Sequence, residues 1–156
     1  MSKIAVIHGP NLNLLGKRNP ENYGRDSLED INTMLRERAK KYNIGLNIFQ
    51  SNHEGKLIDK IHQYSDDNAG LIINPGGLTH YSVSLRDALE IFQKPIIEVH
   101  LSNILGREDF RRRSLTSQVV KGVITGLGST GYVLALDALI DIIKGGYINE
   151  RENKES

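Results

Sequence analysis

Short apolar runs alternate along this chain with longer segments in which apolar residues recur every three or four positions. The short runs are typical of buried strands, and the longer segments are typical of helices with one apolar face. Five strands are predicted, over residues 3–7, 46–49, 70–73, 95–99 and 122–125. The chain therefore combines both element types throughout its length.

Four helices are predicted between and after these strands, beginning near residues 27, 54, 82 and 130. Ser27 followed by Asp30 is a typical helix start. Thr79 and Ser82 are alternative N-caps for the third helix, which ends before Pro95.

The order of these elements predicts a parallel sheet with helices on both of its faces. We predict an α/β fold, a flavodoxin-like three-layer sandwich with a five-stranded parallel sheet in the order 2-1-3-4-5. In such a sheet, ligands bind at the carboxyl ends of the strands where the strand order reverses, here between strands one and three. The 156 residues suffice for one domain, which we predict over residues 1–148, followed by a frayed tail over residues 149–156.

Composition and charge argue against several classes of protein. Hydrophobic residues make up 38% and charged residues 25%, and the formal net charge is +1, so neither disorder nor a nucleic-acid-binding surface is indicated. The absence of cysteine excludes disulfides, thiolate metal sites and a cysteine nucleophile, and it fits an intracellular protein. The apolar stretch of residues 4–7 is too short for a signal peptide or a membrane span, so a cytoplasmic protein without membrane association is predicted.

Polar residues follow three of the predicted strands. His8 comes after the first, Asn74 after the third, and His100 shortly after the apolar part of the fourth. Gly76 and Gly77 would let a ligand approach the backbone closely, although a simple turn explains them equally well. Because the carboxyl ends of parallel strands lie at one edge of a sheet, these residues predict one shared site.

The five histidines divide into two groups. A lone histidine after a strand is more often structural than functional, and we interpret three of them in this way: His8, His53 and His62. His80 and His100 are functional candidates, since each lies at or just after a strand exit. Each also has a carboxylate nearby in sequence, Asp87 and Glu98 respectively, which could fix the imidazole tautomer.

The polar stretch over residues 9–25 is long for a connection between a strand and a helix, and loops of this length are often functional lids. It contains Arg18 and Tyr23, which taken alone are a surface arginine and a packing tyrosine. A phenol acts as a base near neutral pH only when nearby positive charge stabilises the phenolate. Arg18 and Arg25 could supply that charge.

Several longer motifs resemble those of the type II 3-dehydroquinate dehydratases, in the same order along the chain. They are Gly9-Pro10-Asn11-Leu12-Asn13-Leu14-Leu15-Gly16 followed by Arg18, Pro20 and Tyr23-Gly24, Gln50-Ser51-Asn52-His53-Glu54-Gly55, Asn74-Pro75-Gly76 with Thr79-His80 and Arg86-Asp87-Ala88, Glu98-Val99-His100-Leu101-Ser102-Asn103, and Arg107-Glu108 with Phe110-Arg111 and Ser114. The resemblance covers residues 4–136, and so many motifs in register are far more specific than one glycine pattern. Small departures occur at Gly77, Arg112, Arg113 and Leu115, and none removes a proposed catalytic group.

The resemblance implies a lyase that removes water from 3-dehydroquinate to give 3-dehydroshikimate, in the shikimate pathway to aromatic amino acids. The type II enzymes carry out an anti elimination through an enolate and use no metal, no cofactor and no Schiff base. They are usually dodecamers of four trimers, in which Asp87 would reach into a neighbouring subunit's site. The implied partners are therefore the small-molecule substrate and further copies of the chain.

The resemblance also implies a role for each catalytic residue. Tyr23 would be the base that removes the proton next to the ketone, and Arg18 would hold it as a tyrosinate. Asn11 would position the donor that stabilises the enolate oxygen. His100 would protonate the departing hydroxyl, oriented by Glu98.

Other residues are implied to bind the substrate or to support the site. Leu101 and Ser102 would receive the substrate carboxylate, while His80, Asp87 and Arg111 would hold the ring hydroxyls. Asn74 would join Glu98 in orienting His100. The implied binding set is Asn74, Gly76, Gly77, His80, Asp87, Leu101, Ser102 and Arg111.

Two alternatives remain open at the level of sequence. A non-catalytic flavodoxin-like module that binds a nucleotide or receives a phosphoryl group has the same fold, since fold does not determine function. The chain lacks the glycine-rich nucleotide fingerprint and the acidic first strand end that such a module would use. A Schiff-base dehydratase needs a buried lysine, and Lys17 is the only lysine near the predicted site.

Overall fold

The fold is seen in a computed structural model that describes residues 1–146; the predicted tail over residues 149–156 lies outside the described residues. One sheet is formed by β1 (Lys3–His8), β2 (Gly45–Gln50), β3 (Gly70–Asn74), β4 (Ile96–His100) and β5 (Gly122–Thr125). All neighbouring strands are parallel, in the order β2-β1-β3-β4-β5. The predicted α/β sandwich with strand order 2-1-3-4-5 is therefore confirmed.

Four strands extend one residue beyond the carboxyl ends of the runs that predicted them, β2 among them with Gln50. His8, Asn74 and His100 are the last residues of β1, β3 and β4, because backbone pairing continues past the last apolar side chain. His8 lies beside Asn74 in the register of β1 and β3. These polar side chains are therefore held by the sheet itself, at its carboxyl edge.

The described residues form five α-helices: α1 (Pro20–Tyr23), α2 (Leu28–Lys41), α3 (Glu54–Tyr64), α4 (Val83–Phe92) and α5 (Thr130–Ile143). Helices α2 to α5 correspond to the four predicted helices. Ser82 is the N-cap of α4, since its hydroxyl accepts a hydrogen bond from the Leu85 N–H at 3.0 Å. The single-turn α1 has no buried residue, so the apolar pattern did not predict it.

The sheet carries a core on each face, because alternate residues of a strand point to opposite sides. Helices α2 and α5 pack over one face, against residues such as Val6 and Ile72. Helices α3 and α4 pack over the other face, against residues such as Ile7 and Ile73. Across residues 1–146, no helix is both long and apolar enough to cross a membrane.

The loops that follow β1 and β3 pack tightly on each other. The Gly9 N–H donates to the Asn74 carbonyl at 2.8 Å, and a Cβ at Gly9 would lie only 2.6 Å from the Pro75 carbonyl oxygen. At Gly76, where φ is 61°, a Cβ would lie 3.1 Å from the Pro10 carbonyl oxygen. Glycine is therefore needed at both positions, and the contact holds the two loops together at the switch point.

The long loop over residues 9–25 is anchored at its base. Leu12 and Leu15 are buried in the core on the side of α2 and α5. The remainder of the loop carries Arg18 and, within α1, Tyr23 over the carboxyl edge of the sheet. Movement of this part as a lid stays a prediction.

Candidate active site

A cavity of about 160 Å³ opens beside the carboxyl ends of β1, β3 and β4. It lies at the predicted switch point between β1 and β3. Glu98 lies behind His100 and Asp87 does not line the cavity. The other eleven of the thirteen predicted site residues line it: Asn11, Arg18, Tyr23, Asn74, Gly76, Gly77, His80, His100, Leu101, Ser102 and Arg111.

Tyr23 is flanked by two arginines. The guanidinium carbon of Arg18 lies 3.8 Å from the centre of the Tyr23 ring, and that of Arg107 lies 5.2 Å from it. The phenol of Tyr23 therefore lies beside two cationic side chains. Arg25, which the sequence offered as the second cation, is exposed and does not line the cavity.

Arg107 is a functional candidate that the sequence reasoning missed as a site residue. Its Nη1 donates a hydrogen bond to the Ser102 hydroxyl at 3.2 Å, and its side chain is 15% exposed. It thereby links the loop after β4 to Tyr23. Its only signal in the sequence was the Arg107-Glu108 motif, which does not show where the side chain points. Three further lining residues were also not predicted: Pro10, Leu12 and Ile104.

His100 and Glu98 form a buried pair on one face of β4. They are two positions apart, so their side chains point to the same side of the sheet. The His100 Nε2 lies 2.8 Å from the Glu98 Oε2, and the two side chains are 5% and 0% exposed. The predicted pairing of this carboxylate with this imidazole is therefore observed.

Glu98 is held in its ionised form. Burial alone would raise the pKa of Glu98, but the hydrogen bond and charge of His100, with the hydroxyls of Ser117 and Thr116, bring that pKa below its ordinary value of 4.5. An ionised carboxylate only accepts hydrogen bonds, so the His100 Nε2 must carry the proton of this bond. The other ring nitrogen, Nδ1, is then the one available to the cavity.

Asn74 does not orient His100 in the way the resemblance implied. Its Oδ1 accepts a hydrogen bond from the Gly76 N–H at 3.1 Å, and its amide also contacts the Tyr132 hydroxyl. Asn74 follows Ile72 by two positions, so it faces the α2 and α5 side of the sheet, whereas His100 faces the other side. It therefore shapes the loop after β3 and presents its amide at the cavity wall.

His80 lines the cavity, but Asp87 does not fix its tautomer as the sequence suggested. Its Nδ1 lies 2.8 Å from the Arg113 carbonyl oxygen, which can only accept, so Nδ1 carries the proton. Asp87 is 58% exposed and lies 3.7 Å from the Arg86 guanidinium. The backbone of the loop after β4, rather than a carboxylate, sets the orientation of His80.

The loop after β4 supplies the opposite wall of the cavity. The Ser102 carbonyl accepts a hydrogen bond from the Thr125 hydroxyl at 2.9 Å, and the Leu101 carbonyl accepts one from the Gly128 N–H at 3.0 Å. Arg111 lines the cavity while its Nε donates to the Glu108 carboxylate at 2.6 Å. The wall therefore presents fixed polar groups and a guanidinium to a ligand that carries hydroxyls or a carboxylate.

The cavity lining bears on the alternatives that the sequence left open. No lysine lines the cavity within the described residues, and Lys17 is exposed. Gly77, one of the departures from the family motif, has open space where a Cβ would stand, so alanine would also fit there. Among residues 1–146, no cluster of three or more histidine, aspartate or glutamate side chains is placed to hold a metal ion.

Residues 2–140 of the chain match the family described as dehydroquinase class II. The chain belongs to this family. A 3-dehydroquinate dehydratase from Halothermothrix orenii is 58% identical over 146 residues, which cover 94% of this chain and 99% of that protein. The predicted resemblance to the type II enzymes is therefore confirmed, over a longer span than the motifs had indicated.

Solved structures of class II dehydroquinases show the same fold. The crystal structure of a type II dehydroquinase from Butyrivibrio crossotus is 46% identical, with a TM-score of 0.87, and the match covers 89% of this chain and 97% of that one. The type II dehydroquinase from Propionibacterium acnes is 40% identical, with a TM-score of 0.86, over 89% of this chain and 96% of that one. Membership of the family therefore extends to the tertiary structure.

Proposed function

We propose that this class II dehydroquinase removes water from 3-dehydroquinate by an anti elimination through an enolate, giving 3-dehydroshikimate in the shikimate pathway. The observation that carries the proposal is one cavity lined by both a phenol beside two guanidiniums and an imidazole beside an ionised carboxylate. The name of the Halothermothrix orenii relative supports the substrate. We place the reaction in the cytoplasm, as the sequence predicted.

Tyr23 starts the reaction as the base. Its phenolate takes the proton next to the ketone, and the electron pair of that C–H bond moves to the carbonyl oxygen to form an enolate. Arg18, stacked at 3.8 Å, and Arg107, at 5.2 Å, stabilise the phenolate. Asn11 lines the cavity and positions the donor for the enolate oxygen, a contribution of about 3 kcal/mol for one well-placed donor.

His100 completes the elimination as the general acid. The enolate collapses, the C1–O bond breaks, and the imidazolium transfers a proton to the departing hydroxyl so that it leaves as water. The Glu98 carboxylate, which accepts the hydrogen bond from the His100 Nε2 at 2.8 Å, holds the ring in place. An anti elimination needs a base and an acid on opposite faces of the substrate ring, which a loop-borne Tyr23 and a sheet-borne His100 can provide.

The remaining lining residues bind the substrate. Leu101 and Ser102 receive its carboxylate, and the Arg107 hydrogen bond at 3.2 Å fixes the Ser102 hydroxyl for this purpose. His80 and Arg111 hold the ring hydroxyls. Gly76 and Gly77 let the ring approach the backbone after β3.

The proposal is tested by following the conjugated enone of the product in the ultraviolet, with purified protein and 3-dehydroquinate. Wild type should form the enone, and Tyr23→Phe should lose nearly all turnover while still binding substrate. Tyr42→Phe is the matched control, because Tyr42 also lies near an arginine, Arg38 at 5.6 Å, but does not line the cavity. It should keep wild-type turnover.

Three results would contradict the proposal. No enone with wild type would reject the reaction, and wild-type turnover in Tyr23→Phe would reject Tyr23 as the base. A loss confined to KM in His100→Ala would reject its role as the acid, since an acid acts in the transition state. Borohydride with substrate should leave wild type active, and inactivation would reveal a Schiff base.

We further propose that the active form is a dodecamer of four trimers in which Asp87 reaches a neighbouring site. The support is that Asp87 is 58% exposed and does not line the cavity of its own chain. Sedimentation and turnover should be measured on the same dilution series. A fully active monomer would defeat this part of the proposal.

A further inference from the structure

Four hydroxyls lie at or near the Glu98 carboxylate, and none of their residues lines the cavity. Thr116 donates a short hydrogen bond to the Glu98 Oε1, and the Ser117 hydroxyl donates to Oε2 at 2.5 Å. Thr79 lies 3.4 Å from Oε2. The fourth, Ser114, lies 2.9 Å from the Thr79 hydroxyl and 2.7 Å from that of Ser117. We call these four residues the hydroxyl cluster.

The directions of these hydrogen bonds follow from proton counting. Each hydroxyl has one proton, and an ionised carboxylate can only accept. Thr116 and Ser117 donate their hydroxyl protons to Glu98, so they can only accept hydrogen bonds from their other neighbours. Ser114 therefore donates to Ser117. Thr79, 2.5 Å from the Thr116 hydroxyl, is left to donate within the cluster or to Glu98 itself. The cluster is therefore ordered around a negative charge.

We infer that Thr116 and Ser117 are positioning residues that keep the proton shared by the buried pair on the His100 Nε2 and off Glu98, so that the ring is an imidazolium when its Nδ1 gives a proton to the leaving group. The inference rests on the proposed role of His100 as general acid. The proton between the His100 Nε2 and the Glu98 Oε2 can lie on either partner. The pair is then either a carboxylate with an imidazolium or a carboxylic acid with a neutral imidazole. Donors to the carboxylate stabilise only the first of these.

The charges around the pair support this assignment. Among the described residues, the charged partner of Glu98 is His100, and its other hydrogen-bond partners are the hydroxyls of Thr116, Ser117 and Thr79. Thr116 and Glu98 are both fully buried, so water cannot easily replace the Thr116 hydroxyl as a donor. Without the Thr116 and Ser117 hydroxyls, the carboxylate would still be buried and would lose two of the hydrogen bonds that offset its burial, keeping the hydrogen bond and charge of His100.

The test compares hydroxyl-deleting variants with variants that keep the hydroxyl. Thr116→Val and Ser117→Ala remove one donor each, whereas Thr116→Ser and Ser117→Thr retain it. We expect each deletion to lower kcat by about tenfold with little change in KM, on the order of one charge-assisted hydrogen bond. The acid limb of the kcat profile should also move to higher pH, since Glu98 would take up a proton sooner.

A second readout does not depend on turnover. Infrared difference spectra between neutral and acidic pH detect the carbonyl stretch of a protonated carboxyl, and the band of Glu98 is identified by its loss in Glu98→Gln. This band should appear at higher pH in Thr116→Val and Ser117→Ala than in wild type. Because no substrate is needed, failure of the proposed dehydratase reaction and failure of this inference are distinguishable.

Ser82→Ala is the matched control for simple loss of stability. The Ser82 hydroxyl also donates to a carboxylate, Glu54 at 2.6 Å, and is buried, but neither residue lines the cavity. This variant should melt at a lower temperature while the Glu98 band and the acid limb stay in place. If Thr116→Val does not fold, the inference is tested with Ser117→Ala alone. Ser117 is only half-buried, so its substitution disturbs the packing less.

The inference is overturned if the Glu98 band and the acid limb stay at their wild-type pH in the deletion variants. It is also overturned if Thr116→Ser and Ser117→Thr lose as much activity as the deletions, since the lost property would then be packing. Shifts in the deletions, with recovery in the variants that keep the hydroxyl, support it.

Discussion

His8 and His100 each end a strand of the same sheet and are both buried, yet their surroundings give them opposite properties. His8 ends β1 and faces α2 and α5, where its Nε2 lies 2.8 Å from the Asn32 Oδ1 and its Nδ1 lies 3.1 Å from the Tyr132 hydroxyl. His100 ends β4 and faces the other side, where its Nε2 meets the Glu98 carboxylate at 2.8 Å.

The partners decide what each imidazole can do. Burial lowers the pKa of His8 from 6.5 to about 4, and the hydrogen bond to Asn32 opposes that shift only in part. His8 is therefore neutral at physiological pH and serves the core. His100 has an ionised carboxylate beside it and an open side toward the cavity, which are what a general acid needs. A strand-end position alone does not make a histidine catalytic.

The largest expected effect comes from giving His100 a neutral partner like that of His8. Glu98→Gln keeps the shape of the side chain but removes the negative charge beside the His100 imidazole. We expect kcat for 3-dehydroquinate to fall by about 10²- to 10⁴-fold, the usual range for a general acid, with KM little changed. Glu90→Gln, at an exposed glutamate of α4, should leave kcat at the wild-type value. Turnover in Glu98→Gln within twofold of wild type would show that the charge is not needed.

The next effect concerns His8 and the pH dependence of stability. Because the pKa of His8 is lowered to about 4 in the folded state, the unfolded chain binds a proton between pH 6.5 and about 4 that the folded chain does not. The contribution of His8 to the free energy of unfolding is therefore complete above pH 6.5. It is lost as the pH falls toward about 4, and the total loss is about 3 kcal/mol.

Urea unfolding at fixed protein concentration across this pH range measures that contribution. His8→Gln, which cannot titrate, should lose this part of the pH dependence even if its overall stability is lower. His62→Gln, at an exposed histidine, should retain it. Equal slopes in wild type and His8→Gln would mean that His8 does not cause the loss of stability in acid.

The smallest expected effect, again on the pH dependence of stability, comes from giving His8 a charged partner like that of His100. Asn32→Asp places a carboxylate at the position now 2.8 Å from the His8 Nε2, and an adjacent negative charge raises a histidine pKa. We expect the loss of stability between pH 6.5 and about 4 to shrink by about 1–2 kcal/mol, although the buried pair is costly in itself.

Asn43→Asp is the control for this exchange, since Asn43 is exposed. It should leave the pH dependence unchanged. If the pH dependence of stability is also unchanged in Asn32→Asp, the hydrogen-bond partner does not set the charge of a histidine at a strand end.

Much of this arrangement could be read from the sequence because it depends on local periodicity. Apolar runs located the strands, and the strand and helix order predicted a sheet whose carboxyl edge collects Asn74 and His100. The alternation of side chains along a strand also places Glu98 and His100 on one face, since they are two positions apart. The motifs that resemble the type II enzymes added the loop residues Arg18 and Tyr23.

The partners of these residues could not be read in the same way. The sequence suggested Arg25 beside Tyr23 and Asp87 beside His80, because those residues are near in sequence. The structure instead places Arg107 near Tyr23 and the Arg113 carbonyl beside His80.

The sequence by itself determined the strands, which follow from patterns that repeat over a few residues. The alternation of strands with helices then predicted a parallel sheet and the edge at which the site forms. Only the tertiary structure decided which groups set the charge of each histidine. Tyr132 is 124 residues from His8, and Thr116 is 18 residues from Glu98 in a separate turn. Such contacts form when the chain packs, and no local pattern records the distance between side chains that the fold brings together.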